Sequence, residues 1–248
     1  MQVRCFQLIP PNSPRVPQET SKQMREIVKA FLKNVPVIGS SLLQLRRAKF
    51  RNSVDYWDQR YRQGGDSGAG SYNRLAEFKA NFLNTFVEQH HIASVIEHGS
   101  GDGAQLKLAR YPDYTGVDIS PKAVEICRTL FADDPTKRFF EASRLPAAFK
   151  AELALSLDVI YHLVEDHVFH AYMQNLFASA NRFVVVYSSN MNQDWLYKHV
   201  HHRTFTDWVA QHQPHWFLQS TTPNDYPYDP NNPDETSFAD FYVFSATS

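Results

Sequence analysis

Cysteine is nearly absent from this 248-residue chain, with Cys5 and Cys127 standing alone. Two cysteines so far apart exclude a disulfide framework and a cysteine-based zinc site, and they fit a reducing compartment; a cytoplasmic location is expected. Long hydrophobic runs are missing too. No stretch of about 18 uncharged apolar residues occurs, which excludes a transmembrane helix. The first ten residues lack the pattern of a secretory leader, so none is expected. Glycine is scarce at nine residues, yet four of the nine crowd into Gly64, Gly65, Gly68 and Gly70. Such crowding marks a loop of unusual backbone freedom.

What is present is ordinary in total and uneven in placement. The chain has 43% hydrophobic and 21% charged residues, the balance of a globular protein large enough to bury a core without staples. Net charge is −1, but residues 1–51 hold ten Lys or Arg against Glu19 and Glu26, leaving that arm at +8 and the remainder at −9. The reading is therefore a basic helical arm over 1–51 and one domain over 52–248. The arm either meets an anionic partner, such as a membrane surface touched peripherally, or packs on the acidic body. Pro36 and Gly39 divide its apolar spacing into two short helices.

Helical spacing returns over Leu75–Gln89 through Leu75, Phe78, Phe82 and Phe86. Strands and helices then alternate, which predicts a parallel α/β sheet. Strands are expected at 93–97, 114–119, 138–142, 153–160 and 183–187, and helices at 104–110, 121–131, 168–180 and 204–213. Segments 216–220 and 238–245 read as a closing antiparallel pair.

The strongest signal is Glu97-His98-Gly99-Ser100-Gly101-Asp102-Gly103, between an expected strand and an expected helix. Glycines there let the chain turn tightly and let a ligand approach the backbone. The helix behind them would aim N–H groups and a positive dipole end at that ligand. Asp118 ends the next strand, where an acid accepts ribose hydroxyl protons. The set reads as a nucleoside site at the carboxyl ends of parallel strands. Gly99, Gly101 and Ala104 also satisfy the dinucleotide pattern G-x-G-x-x-A. Glu97 argues against it, because a carboxylate repels a pyrophosphate and attracts an ammonium group.

These segments resemble the class I S-adenosylmethionine-dependent methyltransferases from about Tyr56 to the C-terminus. Glu97–Gly103 matches the family's first motif, and Tyr114-Thr115-Gly116-Val117-Asp118-Ile119-Ser120 its second. Glu141-Ala142-Ser143-Arg144-Leu145-Pro146 resembles the acid-Ala-x-x-Leu-Pro segment, with Glu in place of the commoner Asp. Ser156–Leu163 resembles the fourth-strand motif. The resemblance implies a Rossmann-like, seven-stranded, mostly parallel sheet with the last strand antiparallel and helices on both faces. It implies S-adenosylmethionine as cofactor, held by Glu97, Gly99, Ser100, Gly101, Asp102, Gly103, Asp118, Ile119, Glu141, Ala142 and Asp158. It also implies an N-terminal segment, here Tyr56-Trp57 with Gly68–Ser71, that lids the cofactor.

The acceptor side rests on thinner signals. His162, His199 and His202 are candidate general bases, since neutral imidazole takes a hydroxyl proton near its ordinary pKa. Tyr161 and Arg203 are candidate acceptor contacts, Arg203 for a carboxylate or phosphate. No metal is expected, because the fifth strand ends in Ser188-Ser189-Asn190 without the acid of the metal-dependent O-methyltransferases. The reading is methyl transfer to a hydroxyl, or less readily a nitrogen, of a small molecule or glycan. Nucleic acid is not expected, because the body is acidic and the Asn/Asp-Pro-Pro-aromatic motif is missing. The alternatives are an NAD-binding oxidoreductase and a non-catalytic nucleoside-binding module. The aromatic residues Phe205, Trp208, Trp216, Phe217, Tyr226 and Tyr228 line an acceptor pocket or form core.

Overall fold

The computed structural model describes residues 50–193 and 195–247. Everything expected of the basic arm rests on residues 1–49 and lies outside the described residues. Seven strands form a single sheet: β1 Val95–His98, β2 Tyr114–Asp118, β3 Lys137–Glu141, β4 Ala151–Leu157, β5 Ala180–Ser188, β6 Trp216–Thr222 and β7 Asp240–Ala246. Their order is β3-β2-β1-β4-β5-β7-β6. The first five are parallel, and β7 runs antiparallel between β5 and β6. The expected sheet and its closing pair are both present.

Among the described residues, five α-helices accompany the sheet: α1 Ser53–Arg62, α2 Asn73–Gln89, α3 Pro121–Leu130, α4 Asp166–Ala178 and α5 Phe205–His212. β1 is buried along its whole length and β4 at every position but Glu152, as strands covered on both faces are. One core joins Leu83, Phe86 and Val87 of α2 and Val124 and Cys127 of α3 to Val95, Leu153 and Leu155. The opposite core joins Phe169, Met173 and Leu176 of α4 and Phe205, Trp208 and Val209 of α5 to Ile96, Ala154 and Val184. Phe205 and Trp208 are therefore core residues. Strand order reverses between β1 and β4, and the crevice above that switch point is where open α/β sheets bind ligands.

α1 had no apolar periodicity to announce it. Local polar bonds build it instead: Asn52 caps it by accepting the Asp55 N–H at 2.7 Å, and Asp55 sits in the first turn with Arg60 and Arg62 in the last. Its first residue, Ser53, is buried and donates N–H and hydroxyl to the Glu165 carboxylate at 3.1 and 2.7 Å. That fixes α1 beside the start of α4.

The helix expected at 104–110 is corrected to a single 3-10 turn, Gln105–Leu108. A full dipole at the glycine loop is therefore not available. The cause is Asn84 of α2, a buried residue whose amide donates to the Leu108 carbonyl at 2.9 Å and accepts the Arg110 N–H at 2.7 Å. These bonds occupy the groups that would continue the helix, and Pro112 forbids its extension. Asn84→Ala leaves both backbone groups without that partner. It is expected to lower unfolding free energy by about 1–3 kcal/mol in urea titration; a loss below about 0.5 kcal/mol would show that water replaces the side chain.

Candidate functional site

The glycine loop between β1 and the 3-10 turn is shaped by close approaches. Gly99 has φ +82°, and a Cβ there would lie 2.4 Å from Val159. Gly101 has φ +59°, and a Cβ would lie 2.3 Å from Ser67 Oγ. Both the conformation and the space demand glycine. Asp118 holds the loop from below. Its buried carboxylate accepts the Gly101 N–H at 2.9 Å on one oxygen and the Ser120 N–H at 2.8 Å on the other. Each oxygen keeps a further lone-pair direction for a ligand hydroxyl.

Asp102 holds the loop from above. It accepts the Ser67 N–H at 3.0 Å and the Tyr72 hydroxyl at 2.8 Å, and its own N–H donates to Ser67 Oγ at 3.0 Å. The glycine-rich segment after α1 is thereby laid across the loop. Beneath it lies a cavity of about 380 Å³, within the size range of small-molecule sites. Trp57, Tyr61, Ser67 and Ser71 line it from the N-terminal side, and Val168, Ala171 and Tyr172 from α4.

Buried charge is concentrated at one end. Glu97 is 5% exposed and accepts the Tyr114 hydroxyl at 2.6 Å. Burial pushes its pKa up to about 7, with the Tyr114 bond opposing. Lys79 of α2 is 1% exposed and pairs with Asp158 at 2.5 Å. Asp158 follows β4 in the left-handed region, φ +60°, and also accepts the Tyr161 hydroxyl at 2.9 Å. Lys79, Glu97 and Asp158 all line the cavity.

His162 lines the cavity near this end. Its Nδ1 lies 3.0 Å from the His199 carbonyl oxygen, so Nδ1 carries the proton and donates, and Nε2 is left as an acceptor. Trp57 packs edge-on against the ring at 4.8 Å between centroids. Burial, partly offset by the carbonyl bond, pushes the His162 pKa down to about 4 and keeps the ring neutral.

No protein-family model matches the chain. Over 87 residues it is 31% identical to EEF1A lysine methyltransferase 4 of Mus musculus, a match spanning 35% of this chain and 34% of that protein. N-methyltransferase NodS from Bradyrhizobium japonicum WM9, solved with S-adenosyl-l-homocysteine, superposes with TM-score 0.58 at 12% identity, covering 80% of this chain and all (100%) of that one. Magnesium protoporphyrin IX methyltransferase from Synechocystis PCC 6803, solved with bound SAM, gives 0.53 at 16% identity over 83% of this chain and 97% of that one. The fold is that of the class I S-adenosylmethionine-dependent methyltransferases.

Within this methyltransferase fold, Glu97, Gly99, Ser100, Gly101, Asp102, Asp118, Ile119, Ala142, Asp158 and His162 line one cavity. Gly103 and Glu141 are not among the lining residues. Gly103 turns the loop with φ +79°, and Glu141 pairs with Arg144 at 3.4 Å. Tyr161 is buried with its hydroxyl committed to Asp158. His199 stacks on Tyr56 at 4.5 Å and offers His162 its carbonyl.

His202 and Arg203 depart from expectation. His202 is 1% exposed, bonded to Ser189 at 2.7 Å and packed edge-on against Phe238, outside the cavity lining. Arg203 spends its guanidinium on the Leu163 and Val164 carbonyls at 2.6 and 2.7 Å and on Asp166, so it staples the chain before α4. Neither is placed to meet a molecule in the cavity. Among the described residues, no group of three or more His, Cys, Asp or Glu is arranged to hold a metal ion.

Lys79 carried a signal that apolar periodicity passes over. It falls on the buried stripe Leu75, Ala76, Lys79, Ala80, Leu83, where a charge requires a partner.

Glu97 generates a pH dependence of stability. Its folded pKa of about 7 lies above its ordinary 4.5, so the protonated form favours folding. That contribution is complete below pH about 4.5 and is lost as pH rises through about 7. Glu97→Gln is expected to gain stability relative to the parent protein across that window. Thermal unfolding of both proteins from pH 4.5 to 8 checks it, and a constant difference would show that Glu97 does not titrate there.

Proposed function

We propose that this chain is an S-adenosylmethionine-dependent methyltransferase that methylates a hydroxyl group of a small molecule or glycan, with His162 receiving the proton. The observation that carries this reading is one continuous cavity lined by Asp118, Glu97, the glycine loop and His162.

The residues present fit the cofactor. The glycine loop is a cradle that a Cβ at Gly99 or Gly101 would fill. Asp118, with lone pairs remaining, suits the ribose hydroxyls. Glu97 suits an α-ammonium, and the Lys79–Asp158 ion pair closes that end of the cavity. S-adenosylmethionine, when bound, supplies a methyl carbon made electrophilic by its sulfonium.

The chain's own contribution is alignment and proton removal. Trp57 and the segment 66–72 close over the cavity and limit water. Alignment of acceptor oxygen and methyl carbon supplies much of the rate. His162, locked by the His199 carbonyl, presents Nε2. A weak base suffices, since the attacking oxygen becomes strongly acidic as its new bond forms. His162→Ala is expected to lower kcat by about 10²–10⁴ with cofactor affinity unchanged. In the parent protein, at saturating cofactor, kcat should show no acid limb near pH 6.5, because the ring deprotonates near 4. A His162→Ala protein with normal turnover would end this assignment.

The match to a lysine methyltransferase favours one second reading, an amine acceptor on a protein. Labelled methyl transfer from S-adenosylmethionine to glycans, alcohols and proteins, followed by alkaline and acid stability of the product, separates ether, ester and amine linkages. Asp118→Ala is expected to weaken S-adenosylhomocysteine binding by roughly 1.5–3 kcal/mol in calorimetry, the worth of hydrogen bonds to a charged group. Unchanged affinity would remove Asp118 from the ribose.

A further inference from the structure

What orients His162 lies outside the cavity that it lines. Its value as a base depends on which ring nitrogen holds the proton. In an unconstrained histidine the proton prefers Nε2, which would turn the atom needed as an acceptor into a donor. Here the His199 carbonyl oxygen, 3.0 Å from Nδ1, draws the proton to Nδ1. The tautomer is therefore decided by where the His199 backbone sits.

His199 meets His162 twice. Its carbonyl accepts from Nδ1, and its ring stacks on the His162 ring, with centroids 5.7 Å and planes 16° apart. The same His199 ring stacks on Tyr56 of α1, at 4.5 Å and 12°. The backbone beside it is tied at a second point, where the His201 N–H donates to the Tyr161 carbonyl at 2.7 Å. The His199 carbonyl is thus held from α1 and from the residue before His162. α1 is itself fixed by the bonds of Ser53 to Glu165. Trp57 lines the cavity, but Tyr56 and His199 are not among the lining residues. Any effect of Tyr56 on chemistry in the cavity must therefore pass through its neighbours.

We propose that Tyr56 is a positioning residue: by holding the His199 ring, it keeps the His199 carbonyl on Nδ1 of His162 and leaves Nε2 able to receive the acceptor's proton. The proposal rests on the reading of His162 as the base. It makes α1 more than a cover. The helix that closes the site also completes the base, so an undocked α1 leaves the imidazole without its fixed tautomer.

Two measurements on the full chain test it. Imidazole nitrogen NMR at neutral pH reads the tautomer without any substrate. The parent protein is expected to carry the His162 proton on Nδ1. In Tyr56→Ala and Tyr56→Leu the proton should move toward Nε2, while S-adenosylhomocysteine affinity stays within about twofold of the parent's. Tyr56→Phe keeps the ring and should keep the parental tautomer. In turnover at saturating cofactor, Tyr56→Ala is expected to lower kcat about 10-fold, short of the 10²–10⁴ lost with the imidazole itself. In a His162→Ala background the same change should cost nothing further. A parental tautomer in both the Ala and Leu variants would overturn the proposal, as would an equal loss of kcat with and without His162. Loss of S-adenosylhomocysteine affinity in both variants would overturn it too, because Tyr56 would then support the cofactor site. If the parent protein carries the proton on Nε2, the reading of His162 as the base fails and takes this one with it.

Discussion

The ion pair between Lys79 and Asp158 is the contact on which the site's architecture depends. It joins α2, which precedes the sheet, to the end of β4, on opposite sides of the glycine loop. An unpaired lysine ammonium at 1% exposure would be far too costly to bury, so the two elements must close on each other. The closure has further consequences. Asp158 adopts the left-handed conformation that brings its carboxylate to Lys79, and Tyr161 donates to its other oxygen. A Cβ on Gly70 would lie 2.7 Å from that carboxylate, so the segment crossing the loop must carry glycine there. Lys79 also lies 5.4 Å from the centre of the Tyr187 ring on β5.

Around this pair, the site uses backbone tethers rather than a helix terminus to shape its loop. With only a 3-10 turn behind the glycines, a long helix dipole is not the source of the field in the cavity. Placed side chains carry it instead. Asp118 and Asp102 grip the loop from two sides, and Lys79 and Glu97 supply charge of both signs at one end. Such groups act strongly because they are removed from water. The same burial that raises the Glu97 pKa lowers that of His162, because it disfavours the charged form of each.

Much of this was legible in residue patterns. β-branched and apolar runs at β4 and β5, the capped and proline-led start of α3 at Ser120 and Pro121, and the glycine spacing after β1 are local properties. They appear wherever the chain goes. Elements built from tertiary bonds were harder to read. α1 lacks an apolar stripe and is held through Ser53 to Glu165, 112 positions away. The turn at Gln105–Leu108 is cut short by Asn84, which no window around the glycines contains.

The sequence by itself determined the α/β class, the strand that carries Glu97, the turn that needs glycine and the acid at position 118, because periodicity and backbone conformation act over a few residues. It also offered three histidines, His162, His199 and His202, as candidates for the acceptor side. Only the tertiary structure decided which histidine faces the cavity: His162 lines it, whereas His202 is spent on Ser189 thirteen residues away. It likewise decided that Arg203 is a staple and that Lys79 and Gln105 line the cavity. The physical reason is that a polar side chain's role is set by which partner satisfies it, and these partners are brought together only when the sheet closes.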